Sequence, residues 1–319
     1  MEISSKVIVF GGSGFIGTHL VRRLSSDGVS VVSVDIKGPR ERLDGVEYIF
    51  ADVRDLRGFE VEGSVDHIYN FAAIHTTPGH PDIEYFDTNV NGALEVTDFA
   101  RRANCQEIIF TSSISPYGPG EDEKNELTKP APQSAYGYSK LQAEGIHRQW
   151  YREDSSRKLT IVRPAVVFGD GEGGNFTRLA TMLRKGFFIF PGRKDTIKGA
   201  IYVKELLNAI EFARNHRDNY VLFNGSFSEK YTIELIVNTF IDNHFKEART
   251  FLVPQWALMS IAKVCGLFNF MNIGIDPERV LKLVKSTNIK PGWLERNGYV
   301  YQYNLEKSLA DWHKDSKFN

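Results

Sequence analysis

Tyr136 and Lys140 stand four residues apart in the run Tyr136-Gly-Tyr-Ser-Lys140. On a helix that spacing puts the phenol and the amine on one face, one turn apart. An unperturbed tyrosine titrates near about 10 and is a poor base at neutral pH. A neighbouring ammonium stabilises the phenolate and lowers that value. Such a pair can take the proton of a substrate hydroxyl, or return one to a carbonyl oxygen. Two serines, Ser112 and Ser113, follow the short apolar run Ile108–Thr111. A hydroxyl there can donate to the substrate oxygen as charge develops on it.

Removing a carbinol proton is half of an oxidation; the hydride needs an acceptor. The sequence Gly11-Gly-Ser-Gly14-Phe-Ile-Gly17, directly after the apolar run Val7–Phe10, offers a place for one. One glycine permits the tight strand-to-helix turn, one lets the backbone approach a pyrophosphate, and one lets helix pack on strand. The helix N-terminus adds free N–H groups and a partial positive charge. Asp35 ends the next apolar run, where a carboxylate accepts from the adenosine ribose hydroxyls. Its charge repels a 2′-phosphate and favours NAD over NADP, with Lys37 and Arg40 close behind as the opposing signal. Small residues end the later runs Ala51-Asp52-Val53 and Asn70-Phe71-Ala72-Ala73, leaving room for a flat cofactor. A positive nicotinamide beside Tyr136 would then join Lys140 in stabilising the phenolate.

These residues need rigid elements to hold them. Strands are expected at 7–10, 29–35, 47–51, 67–73, 108–111 and 159–163. Helices are expected from residue 15, over 82–104 and over 133–152. That alternation implies βαβ units and a mostly parallel sheet. Beyond residue 170 the rhythm changes: a helix at 175–186, strands at 188–190 and 197–202, a helix at 203–215, a strand at 221–223, a helix capped by Thr232, and mostly helix to Trp312. The expected fold is α/β, a Rossmann-type doubly wound parallel sheet with a smaller, mostly helical C-terminal substrate domain. The division is 1–170 for the cofactor, 171–319 mainly for substrate, with 199–225 returning to the sheet.

Composition sets outer bounds. The chain has 319 residues, 42% hydrophobic, and 39 Lys+Arg against 40 Asp+Glu. So even a balance gives no global footprint for nucleic acid. Its two cysteines, Cys105 and Cys265, are far apart, which argues against disulfides and cysteine zinc sites. His75 and His80 have no acidic or cysteine cluster with them, so no metal is expected; His75 reads instead as a loop residue over the substrate. Glu121-Asp-Glu-Lys-Asn-Glu126 reads as a solvated loop. No signal-peptide core is visible. The apolar stretch Trp256–Phe270, broken by Lys263, is shorter than the roughly 18–20 residues that span a bilayer. A soluble, cytoplasmic protein is expected. The stretch 257–270 should pack in the small domain, the other reading being contact with a membrane surface or a partner.

Taken together, the chain resembles the extended short-chain dehydrogenase/reductases, in their nucleotide-sugar epimerase/dehydratase branch. The resemblance rests on GGSGFIG (11–17), Asp35, ADVRD (51–55), NFAA (70–73), YFDTNVNGALEV (85–96), TSSISPYG (111–118), YGYSK (136–140) and RPAVVFGDGEGGNF (163–176). It implies NAD as cofactor. Gly11, Gly14, Phe15, Ile16 and Gly17 would line its pyrophosphate, Asp35 the ribose, and Asp52 and Val53 the adenine. Phe71, Ala72 and Ala73 would lie along it, Asn89 would support the site, and Arg163 belongs to the segment that returns to it. Ser113, Tyr136 and Lys140 would form the catalytic triad, with Lys140 also on the nicotinamide ribose. Asn175, Phe176 and the backbone near Phe190 would meet the sugar diphosphate and base, and Lys198 would neutralise a phosphate. Ser113-Ile-Ser115 stands where family dehydratases carry Thr-Asp-Glu, which disfavours dehydration. Lys198 and Lys290-Pro-Gly-Trp293 replace the arginine and the Arg-Pro-Gly-Asp common in epimerases. The reaction implied is NAD-dependent epimerisation at C4 of a nucleotide-linked, most often UDP-linked, sugar through a 4-keto intermediate, by a homodimer. Alternatives are a 4-keto-sugar reductase, a steroid-type dehydrogenase and a non-catalytic NAD-binding regulator.

Overall fold

The computed structural model describes residues 5–76, 79–254 and 285–318. Seven strands form one parallel sheet: β1 (Lys6–Phe10), β2 (Val31–Asp35), β3 (Val46–Phe50), β4 (Val65–Asn70), β5 (Glu107–Thr111), β7 (Lys158–Pro164) and β11 (Tyr220–Gly225). Their order is β11-β7-β5-β4-β1-β2-β3. The strands' period of two feeds two cores. Ile8, Phe10, Ile68, Ile108 and Phe110 face α3 (Gly92–Arg102) and α4 (Ala135–Arg152). Val7, Val9, Tyr69, Ile109 and Phe223 face α1 (Phe15–Ser26) and α6 (Val203–Arg214). Near-continuous apolar strands are what a sheet covered on both faces requires. Chain direction across the sheet reverses between β1 and β4, which opens the crevice where ligands bind in such folds.

The helix expected over 82–104 is interrupted. It runs as α2 (Asp82–Phe86), a π-turn over Asp87–Asn91, then α3. Such bulges often sit at functional sites.

The third core belongs to the C-terminal layer. It joins α5 (Asn175–Arg184), β8 (Val166–Phe168), β10 (Ala200–Tyr202), α7 (Ile233–His244) and α8 (Leu305–Ser316) around Phe168, Phe176, Phe240 and Trp312. Thr232 caps α7 as expected, its hydroxyl accepting from Leu235 N at 3.1 Å. Two elements correct the sequence reading. The acidic run at 121–126 is not a loop throughout: β6 (Gly120–Lys124) pairs with β13 (Thr287–Ile289). Residues after 232 are not all helical either: β12 (Arg249–Pro254) pairs with β9 (Phe187–Gly192). Both pairings are long-range and parallel, so neither leaves a local hairpin signal. The apolar stretch 256–270 and Cys265 lie outside the described residues.

Candidate active site

The glycine turn sits at the crevice. Gly11 has φ +81°, and a Cβ there would meet Ala72 N at 2.6 Å. A Cβ on Gly17 would lie 2.1 Å from Gly11 O. These two glycines let β1, the loop after β4 and α1 close on one another. No side chain caps α1, so the N–H groups of its first turn remain available to an anion. Asp35 closes β2 beside this turn, accepting from Ser13 N and Lys37 N, each at 3.0 Å. Phe71, Ala72 and Ala73 lie half-buried just past β4. Asp52 is held by the guanidinium of Arg54 at 2.6 Å, and that bond keeps its carboxyl below the usual range. Val53 is buried against Gly92. A backbone cradle, an acidic strand end and a small-residue wall fit a dinucleotide.

Ser134 starts α4, its Oγ accepting from Gly137 N at 3.1 Å. A Cβ on Gly137 would meet Ser115 O at 2.8 Å, so glycine lets the turn carrying Ser113 seat on the first turn of the helix. The seating brings Ser113 beside Tyr136. Burial pushes the Tyr136 phenol up, and the Ser113 hydroxyl opposes that shift. Lys140, one turn on, is buried, with its Nζ 4.4 Å from the centre of the Phe110 ring. Burial pushes its ammonium down to about 7, and Glu144 opposes this. Asn89 sits in the π-turn. Its amide donates to Ser139 Oγ at 2.9 Å and its oxygen accepts from Ile74 N at 3.0 Å. It therefore ties α4 to the loop carrying His75. His75 itself is at the exposed rim, where desolvation and then the Lys140 charge lower its pKa.

Two expected ligand contacts take structural roles instead. The Arg163 guanidinium is buried and gives both its bonds, at 2.7 Å each, to Glu144, so its side chain is turned to α4 and not to the cofactor crevice. Phe176 is buried, stacked on Phe168 with ring centres 4.2 Å apart, so only its backbone is offered to a ligand. Phe190 is likewise buried in the third core. Asn175 is exposed at the first position of α5. Lys198 Nζ donates to Lys285 O at 2.8 Å; burial pushes it down to about 8.

Sequence reasoning missed Glu144. Its carboxylate, fully buried, also accepts from Ser112 Oγ and Arg148 Nη, each at 2.6 Å. Burial alone would push it up; the bonds from Arg163, Ser112 and Arg148 outweigh that and hold it ionised. Beyond Arg163 the network continues to the Tyr117 ring at 4.7 Å, and Tyr117 Oη donates to Asn224 at 2.8 Å. The signal was available: positions 136, 140, 144 and 147 share one helical face, which Lys140 and Tyr136 already mark as inward. Among the described residues, no group of three or more His, Cys, Asp or Glu side chains could hold a metal.

Known proteins resemble this chain in sequence and in fold. The undecaprenyl-diphosphate-linked N-acetylglucosamine 4-epimerase of Escherichia coli O157:H7 is 26% identical over 317 residues, covering 96% of this chain and 94% of that protein. A UDP-glucose 4-epimerase of Neisseria meningitidis serogroup C is 32% identical over 187 residues, 53% of this chain and 55% of that one. The solved UDP-glucose 4-epimerase of Thermotoga maritima shares the fold, with a TM-score of 0.76 at 21% identity, over 98% of this chain and 99% of that one. The family model for NAD-dependent epimerases and dehydratases matches residues 7–224, and the chain belongs to that NAD-dependent family.

Proposed function

We propose that the chain epimerises C4 of a hexose carried on a diphosphate. The observation that carries this is the seating of Ser113 beside Tyr136, with Lys140 buried one turn further along α4. In the forward half, the Tyr136 phenolate removes the proton of the C4 hydroxyl. Ser113 donates a hydrogen bond to that same oxygen, and the Lys140 ammonium stabilises the phenolate. NAD, held by Gly11, Gly14, Phe15, Ile16, Gly17 and Asp35, supplies a hydride acceptor and donor at C4. In the return half, Tyr136 gives its proton back to the carbonyl oxygen. Inversion follows when the 4-keto sugar presents its other face before that return.

In this reading residues 1–170, with 199–225, hold the cofactor, and the C-terminal layer chooses the substrate through Asn175, Lys198, His75 and the backbone near Phe176 and Phe190. UDP is the carrier favoured by the enzymes of known specificity among its relatives. A second reading, a lipid-carried sugar diphosphate, is supported by the alignment to the undecaprenyl-linked enzyme over 96% of this chain. A homodimer through α2, α3 and α4 accords with the exposed Ile83, Leu94 and Tyr138 on them. A cytoplasmic site of action follows from a nucleotide-sugar substrate.

The test is NMR observation of epimers formed from UDP-glucose, UDP-N-acetylglucosamine and N-acetylglucosaminyl-diphospho-polyprenol, together with assay of the denatured protein for released NAD. Epimer formation without added cofactor is expected. Cofactor-free protein that consumes NADH with a 4-keto sugar would make it a reductase instead.

A further inference from the structure

The β9–β12 ribbon has two unlike faces. Phe188 and Phe190 point inward and are buried in the third core. Phe187 and Ile189 alternate with them and are 38% and 40% exposed. In the parallel register, Arg249 pairs with Phe187 and Phe251 with Ile189, which places them on the same outer face. Phe251 is 55% exposed. Three large apolar side chains, Phe187, Ile189 and Phe251, therefore stand together on a core-anchored surface, an arrangement that marks interaction sites.

The surroundings point to one partner. Lys185, Lys246 and Arg249 are exposed at the start of the ribbon and form no ion pair among the described residues. Glu247 is the exposed acid among them. Aromatic and aliphatic side chains beside a net cationic edge complement an anionic lipid surface, where the rings enter the headgroup boundary and the cations meet phosphates. The sequence that leaves β12 at Pro254 stays largely apolar from Trp256 to Phe270. Among the described residues no helix is long and apolar enough to cross a membrane.

We propose that the outer face of the β9–β12 ribbon docks the enzyme on an anionic phospholipid bilayer. A membrane-borne substrate is the reason such a surface would serve this fold, and to that extent the docking rests on the lipid-carried reading above. α5 packs against β9, and none of Ser113, Tyr136 and Lys140 belongs to the ribbon.

The experiment is sedimentation of the full chain with phosphatidylcholine vesicles and with vesicles that also contain phosphatidylglycerol. It uses wild type, the double variant Phe187→Ser/Phe251→Ser and the double variant Lys185→Glu/Arg249→Glu. Wild type should pellet with the anionic vesicles and bind neutral ones at least about tenfold more weakly. Each double variant should lose about tenfold or more. Melting temperature and epimerisation of a soluble UDP-sugar, measured alongside, should not change; loss of that activity in wild type would sink the enzymatic reading and leave the docking result standing. Equal pelleting of wild type and charge variant would overturn the docking. So would a wild type that pellets with neither vesicle. A variant-dependent change of oligomeric state without vesicle binding would make the face a self-interface. Should the serine variant unfold, the charge variant decides alone: its loss of binding supports the docking, and its binding like wild type overturns it.

Discussion

The catalytic helix and the C-terminal layer handle charge in opposite ways. Along α4 and β7, the Lys140, Glu144 and Arg163 side chains are buried together, with Glu144 bonded to Arg163 at 2.7 Å. In the C-terminal layer the interior is aromatic, built on Phe168, Phe176, Phe240 and Trp312, and its cations Arg193 and Lys194 stand at the rim, with Lys198 more desolvated behind them. A buried ion must have its partners in place before substrate arrives, because removing one partner leaves an uncompensated charge. A rim cation exchanges partners with water at little cost. The contrast suggests that one region fixes the reaction and the other can change substrate without endangering the fold.

The largest break in that contrast is Tyr136→Phe. It should lower turnover by roughly 10²–10⁴-fold, the scale of a lost acid–base group, with bound NAD and melting temperature unchanged. Next is Glu144→Ala, which strands Arg163 in the interior. Urea unfolding should show a loss of about 3–5 kcal/mol. Turnover should fall as well, since Ser112 and α4 lose their common anchor. Stability within error of wild type would remove the distinction between the two regions.

Lys140→Met sharpens the same point through pH. Burial holds the Lys140 ammonium at about 7 in the folded protein, against 10.5 unperturbed. Between those values the unfolded chain binds a proton that the folded chain does not. Lowering the pH across that window therefore weakens the folded state, and below about 7 the effect is complete. Without cofactor, the melting temperature of Lys140→Met should rise relative to wild type as pH falls from about 10 to about 7, then level off. A constant offset would contradict this. On the other side of the comparison, Lys198→Ala should raise KM for the diphosphate substrate by about tenfold with kcat little changed. Smallest of all, Arg193→Ala removes an exposed pair with Asp195 and should leave melting temperature and turnover unaltered.

The same division explains what the sequence disclosed. The glycine turn and Tyr136/Lys140 were legible because each depends on local spacing: a turn needs its glycines in order, and a helix face repeats every three to four residues. The doubly wound sheet was legible from its alternating runs. The pairing of the Arg163 side chain was not legible, because its partner, Glu144, comes from a different element. Glu144 sits in a polar helix sequence, Leu141-Gln-Ala-Glu144, where an acid usually marks the solvent face. The π-turn around Asn89 leaves no trace in apolar periodicity. β6 and β13 pair across more than half the chain, and the acidic Glu121–Glu126 run gave no sign of a strand. Apart from the π-turn, what was missed is a partner supplied by a distant segment.

The central claim, oxidation and re-reduction of C4 within one active site, is tested most directly with a UDP-sugar carrying deuterium at C4. The protein as purified, with no added NAD or NADH, should yield the C4 epimer with the deuterium still at C4, because the hydride that leaves returns to the same carbon. Loss of the label to solvent, or no epimer until NADH is supplied and consumed, would contradict it.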